Sequence, residues 1–207
     1  MVADPALQWT FTVVFAALAV HSAYRIVVDR SRPAQALGHG LHVLMAADMA
    51  AMPWPWWAMI PGSWQIVLFS IATAWFLVLL VLQVRRTIPR RVLGGHGPWH
   101  QAGHAVMMLA MVWMVAAMNP VGEAAPVSGH DLGLSAAHAH AAVSGWDAAT
   151  GIAVTAALLV AGVVLLVEFV DCVRGPARTW RGHTGDVASG AVMSFGMAAM
   201  SWLMLAA

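Results

Sequence analysis

Methionine and histidine are the chemistry-bearing residues of this chain, and their spacing repeats. His104, Met107, Met111 and Met114 stand at offsets 0, 3, 7 and 10. At about 100° per residue they share roughly an 80° stripe of one helical face. His42, Met45, Met49 and Met52 keep the same spacing, and Met193, Met197 and Met200 give it a third time, with Gly190 in the place of the histidine. Thioether sulfur is a soft, neutral ligand that selects Cu(I) over Mg, Ca or Zn. Neutral ligands place no anionic side chain in an apolar setting and exchange metal without a proton. Three stripes converging on one axis would stack triads: Met45/Met107/Met193, Met49/Met111/Met197 and Met52/Met114/Met200. Successive weak sites of this kind suit entry and release of an ion. His42 and His104, one turn beyond two of the stripes, are candidate ligands too.

A methionine stripe is also what a packed core looks like, because Met fills gaps well. The distribution favours the functional reading. Twelve of the fourteen methionines lie in the three stripe-bearing segments, and the other two are Met1 and Met59.

Further polar residues stand out against the apolar background. Asp48 lies deep in an apolar run, where an aspartate costs about 2.5–3.5 kcal/mol on the insertion scale and so needs an interior position and a partner. His21 is one candidate partner, and Asp48 reads either as a counter-charge for a cation or a proton relay, or as half of a buried Asp–His or Asp–hydroxyl pair. Glu168 and Asp171 are one turn apart and read as partners of Arg25 or Arg174. His39, His96 and His183 each follow Gly at a helix start, which suits capping. His130, His138 and His140 stand in an Ala-, Gly- and Ser-rich stretch and are candidates for capturing metal at an outer mouth.

The elements that must position these residues are membrane helices. The chain is 61% hydrophobic and 9% charged, with a mean hydropathy of +0.76, which is not the balance of a soluble domain. Its uncharged runs match the ~20 residues that cross a hydrocarbon core. Six spans are expected at about 8–28, 37–57, 63–84, 99–118, 148–173 and 185–206, the first read as a retained helix because residues 1–7 lack a basic leader. The expected fold class is therefore all-α integral membrane. All ten basic residues are arginine, and they fall at the first, third and fifth connections. The positive-inside rule then makes those connections cytoplasmic and both termini external. Trp9, Trp54, Trp56, Trp57, Trp64, Trp146 and Trp202 are expected at the outer interface, and Trp99 and Trp180 at the inner one. Pro53 and Pro55 are expected to end the second span early.

The spans form three repeated hairpins, about 8–57, 63–118 and 148–206, in a single domain covering 1–207. Each consists of an apolar odd helix, an Arg- and Pro-bearing inner loop, a Gly-His pair and then a Met-rich even helix. Pro33, Gly38-His39 and Met45 mark the first; Pro89, Gly95-His96 and Met107 the second; Pro176, Gly182-His183 and Met193 the third. Parallel repeats of a two-helix unit suggest a pseudo-threefold bundle with the even helices at its centre. The long connection 119–147 is expected to be mobile.

The segment GHGLHVLMAADMAAMPW (residues 38–54), together with a short acidic N-terminus and the Arg/Pro inner loop, resembles a family of actinobacterial integral membrane proteins known only as a domain of unknown function. The resemblance implies a multi-pass protein of the bacterial plasma membrane and supplies no activity and no site residues. The M-x3-M stripes are similar, in architecture alone, to those on the symmetric helices of the high-affinity copper transporters of eukaryotes.

Three readings follow. The first is a Cu(I)-binding or Cu(I)-conducting membrane protein, its partners the bilayer, the metal ion and an outer-face metallochaperone or membrane complex. The second is a b-type haem electron carrier, with axial ligands drawn from His21, His42, His100 and His104. The third is a structural or assembly subunit whose Met and small residues pack helices. The single cysteine, Cys172, excludes an internal disulfide and any CxxC motif. Phosphate-binding loops, hydrolase and protease motifs and basic nucleic-acid stripes are all missing from the sequence, so neither an enzyme of familiar type nor a nucleic-acid partner is expected.

Overall fold

The computed structural model describes residues 4–28, 33–87, 97–118, 145–174 and 183–206. Six α-helices carry nearly all of them: α1 (Pro5–Val28), α2 (Pro33–Ala51), α3 (Gly62–Val84), α4 (Pro98–Met118), α5 (Gly145–Arg174) and α6 (His183–Ala206). A short 3-10 turn, Pro55–Met59, joins α2 to α3. Proline stands at the first position of α1, α2 and α4, where its fixed φ suits a helix start and its missing N–H costs nothing.

Five helices, all but α2, are long and apolar enough to cross a membrane. The 24 residues of α1 reach about 36 Å at 1.5 Å each, against a core of about 30 Å. α2 has 19 residues and carries Gln35, His39, His42 and Asp48, which lower its apolarity. It stops at Ala51 rather than near 57, because Pro53 and Pro55 cannot donate to a continuing helix. α1 satisfies one acceptor and one donor there: Gln8 Nε2 donates to the Pro53 carbonyl at 2.7 Å, and Thr12 Oγ1 accepts from Trp54 Nε1 at 2.9 Å.

The helices pack chiefly as consecutive pairs, α1 with α2, α3 with α4 and α5 with α6. The pairs then join through α4 against α5 and α6, and through α1 against α6. Half or more of α4 and α6 is buried, against a third or less of α1, α3 and α5. The odd helices instead turn Val20, Val27, Val67, Ile71, Val160 and Val163 outward. That division explains the composition. Outward positions need only be apolar, whereas the centre is filled by unbranched thioethers that adapt to irregular gaps.

α3 ends in a Schellman turn: Thr87 N–H donates to Leu82 O and Arg86 N–H to Gln83 O, both at 2.9 Å. The motif needs a left-handed residue, usually Gly, and here Arg86 takes it at φ 55°.

Candidate functional site

All nine stripe methionines end in one core. Met45, Met49, Met107, Met111, Met114 and Met197 are completely buried, and Met52, Met193 and Met200 are 1–3% exposed. Met108, outside the stripe, is completely buried with them. The three stripe faces therefore turn inward from α2, α4 and α6, and none faces lipid. Among the described residues no group of three or more His, Cys, Asp or Glu is gathered as a metal site, so a metal held here would rest on thioethers.

Beneath the methionines, at the end where α2, α4 and α6 begin, three histidines form a chain. His42 Nδ1 lies 2.7 Å from the Gly38 carbonyl, its own preceding turn. His42 Nε2 lies 3.0 Å from His104 Nδ1, and His104 Nε2 lies 2.8 Å from His100 Nε2. Each pair of rings meets at 4.3 Å, nearly perpendicular. Phe76 of α3 covers the central joint, its ring 5.3 Å from His104 and 6.1 Å from His42. Glu168 of α5 receives the outer end: His100 Nδ1 lies 3.9 Å from Oε2, and His183 Nε2 lies 3.3 Å from Oε1. His42 and His104 were expected as metal ligands. In this arrangement all four of their ring nitrogens are engaged in hydrogen bonds, which leaves the thioethers as the candidate ligands.

A cavity of about 50 Å³ opens beside the chain, lined among others by His42, His100, His104, Gln35 and Ser189. Gln101 also lines it, and its Oε1 is buried with no hydrogen-bond partner among the described residues. A space of this size has room for about three waters at roughly 15 Å³ each.

The expected His21–Asp48 pair does not form. Asp48 instead accepts a hydrogen bond from Trp57 Nε1 at 2.9 Å, and Trp57 is 4% exposed rather than part of an aromatic belt. Trp9, Trp56, Trp64, Trp99 and Trp202 are exposed, as a belt requires. His21 Nε2 lies 3.6 Å from Asp186 Oδ1, a carboxylate that the sequence reading passed over. Asp186 is the partner of Arg25: Nη2 donates to Oδ2 at 2.9 Å and Nε lies 2.9 Å from Oδ1. Both side chains are 6% exposed. Arg25, read as a loop charge, is thus an interior residue tying α1 to α6, and Glu168 faces histidines rather than arginine. A charge inside an apolar run is the signal that could have matched Arg25 to Asp186. His96, His130, His138, His140, Trp180 and the stretch 119–144 lie outside the described residues.

The fold is all-helical, with five helices long and apolar enough to cross a membrane. The chain belongs to the family described as Domain of unknown function (DUF5134), which matches residues 34–204, in agreement with the resemblance read from residues 38–54. Uncharacterized proteins of Mycobacterium bovis and Mycobacterium tuberculosis are each 39% identical over 120 residues, covering 58% of this chain and 53% of theirs. The chain therefore spans about half the length of these relatives. No solved structure matches it.

Proposed function

We propose that this protein binds Cu(I) among the methionines of α2, α4 and α6, within a bacterial plasma membrane, and handles or transports it there. One observation carries the reading: nine methionines with identical spacing on three helices are buried in one core. The even helices run in the same direction, so the levels Met45/Met107/Met193, Met49/Met111/Met197 and Met52/Met114/Met200 succeed one another along the bundle. Steps of four and three residues correspond to rises of about 6 and 4.5 Å. Such spacing lets an ion pass between neutral, three-coordinate sulfur sites without crossing a charged one. Three rotatable bonds let each sulfur turn toward a metal without moving its helix. The positive-inside rule, applied to the exposed Arg85, Arg86 and Arg174, supports a cytoplasmic histidine end.

Two features favour copper over haem. The His42 and His104 rings touch at 3.0 Å and would have to part to admit an iron. The adjoining cavity, about 50 Å³, is also far below the roughly 300–1,000 Å³ of pockets that hold drug-sized ligands.

The test is metal analysis and a spectrum on detergent-purified protein from cells grown with and without copper, beside the Met49/Met111/Met197→Leu variant. Leu replaces Met at nearly constant volume, costing under about 1.5 kcal/mol per site, and circular dichroism checks that the triple variant is folded. The expected result is near-stoichiometric copper in the parent and loss in the variant. Equal copper in both removes the middle level from the site, and absence of copper from the parent overturns the reading.

A further inference from the structure

We propose that the cavity at the histidine end is a water-binding antechamber, and that a layer of His42, His104, Phe76 and Leu165 closes it off from the methionine core as that core's inner gate. The role as a gate rests on the methionines being a path for Cu(I); the division into a wet and a dry compartment does not. The cavity is bounded sharply along the bundle. Its lining stops at His42 on α2, at His104 on α4 and at Ser189 on α6, and on α3, which runs the opposite way, it begins at Phe76. Among the described residues no methionine lines it. Met45, Met107 and Met193 follow three or four residues beyond those limits, one turn further along their helices, and are 0–1% exposed.

The chemistry changes at the same level. Gln101 lines the cavity, is 5% exposed, and its Oε1 has no hydrogen-bond partner among the described residues. A buried carbonyl oxygen without a donor is costly, and a water that donates to it removes the cost. Such a water needs room and two or more polar partners; Gln35, Asp186 and Ser189 line the same space. Beyond the layer the core offers mainly thioether sulfur, a weak acceptor, so water there forgoes most of its hydrogen bonds. Four helices supply the layer between. The His42 and His104 rings meet at 4.3 Å, joined Nε2 to Nδ1 at 3.0 Å. Phe76 covers that joint, and the completely buried Leu165 fills the side where α6 carries only Gly190. Side chains alone hold the layer shut, so a turn of the His42 imidazole parts it.

X-ray radiolytic footprinting of metal-free protein in detergent tests the division. Hydroxyl radicals formed from water modify the side chains beside that water, and mass spectrometry reads each residue. Methionine sulfur oxidises readily, which makes its protection decisive, and Met59, 85% exposed, is the accessible standard. The expected result is modification of His100 and Phe76, with Met45, Met107 and Met193 slower than Met59 by at least about tenfold, because water is disfavoured among thioethers. Gln101→Leu should lower the labelling of His100 and Phe76, since an apolar cavity stays dry. Phe76→Ala should raise that of Met107, whereas Phe69→Ala, two turns away on α3, should leave Met107 protected. Circular dichroism reports whether each variant is folded; if Phe76→Ala is not, the parent footprint decides, since it needs no substitution. Inner methionines labelled as fast as Met59, unlabelled cavity residues in the parent, or unchanged labelling in folded Gln101→Leu overturns the antechamber. With the expected footprint, copper on the methionines supports the gate, and absence of copper overturns the gate while the two compartments stand.

Discussion

Removing either partner of the Arg25–Asp186 fork should be among the most destabilising single changes in this protein. At 2.9 Å the attraction between unit charges is about 6 kcal/mol for an effective dielectric near 20. Withdrawing both ions from water costs several kcal/mol each, so the pair itself contributes little net stability. The asymmetry appears when one partner is lost, because the other stays buried without its counter-charge. Asp186→Leu and Arg25→Met should each cost about 3–5 kcal/mol. For a chain of this size that is a fall in unfolding midpoint of roughly 6–20 °C. The double variant Arg25→Met/Asp186→Leu, which removes both charges and keeps bulk, should return close to the parent. Thermal unfolding in one detergent, followed by circular dichroism, measures all four corners of the cycle. His21, 3.6 Å from Asp186, is a weaker contact, and His21→Ala should move the midpoint far less. Single variants within about 1 kcal/mol of the parent, or a double variant whose loss is the sum of the singles, would refute the argument.

Three further outcomes follow from local geometry, each read as a midpoint shift in the same assay. A Cβ at Gly151 would lie 2.5 Å from Leu205 Cδ2 and 2.8 Å from Trp113 Cζ2, so Gly151→Ala should destabilise by about 1–3 kcal/mol. Gly40, with nothing within 4 Å of its Cβ position, is the control, where Ala should stabilise by about 0.5–1 kcal/mol. Arg86 holds a left-handed φ of 55° at the end of α3, and Arg86→Gly should gain about 1 kcal/mol; a loss there would show that the arginine side chain matters more than its backbone.

Periodicity and punctuation made the helices and their pairing legible. Apolar runs of membrane length and Pro53 after α2 are local signals, and each acts where it stands. The inward turn of the methionines was legible for a similar reason, since a stripe repeated on alternate helices has one shared place to go. Long-range polar pairing was not. Arg25 and Asp186 are 161 residues apart, and no periodicity connects them. The expected His21–Asp48 pair failed on hairpin register. The contact between Thr12 and the Ala50 carbonyl sets α1 against α2 so that His21 falls beside the Leu41–His42 turn, about two turns from Asp48. Asp48 sits instead where Trp57 of the connecting 3-10 turn folds back upon it.

The departure from threefold repetition is what separates the two chemistries of this bundle. A histidine in every repeat would set His42, His104 and residue 190 as a ring at one level. Residue 190 is Gly, and the structure uses its missing side chain: a Cβ there would lie 3.2 Å from Leu165 Cδ1 and 3.7 Å from His104 Cε1. The completely buried Leu165 occupies the space that a third ring would need. The third histidine of the site comes from His100, one turn along α4 from His104. Three donors in a ring converge on a point, as a metal requires. Three in a file, each turned roughly perpendicular to the next, converge on nothing and connect two ends. The methionine levels keep the repeat, whereas the histidine level breaks it and sets its three rings in a file.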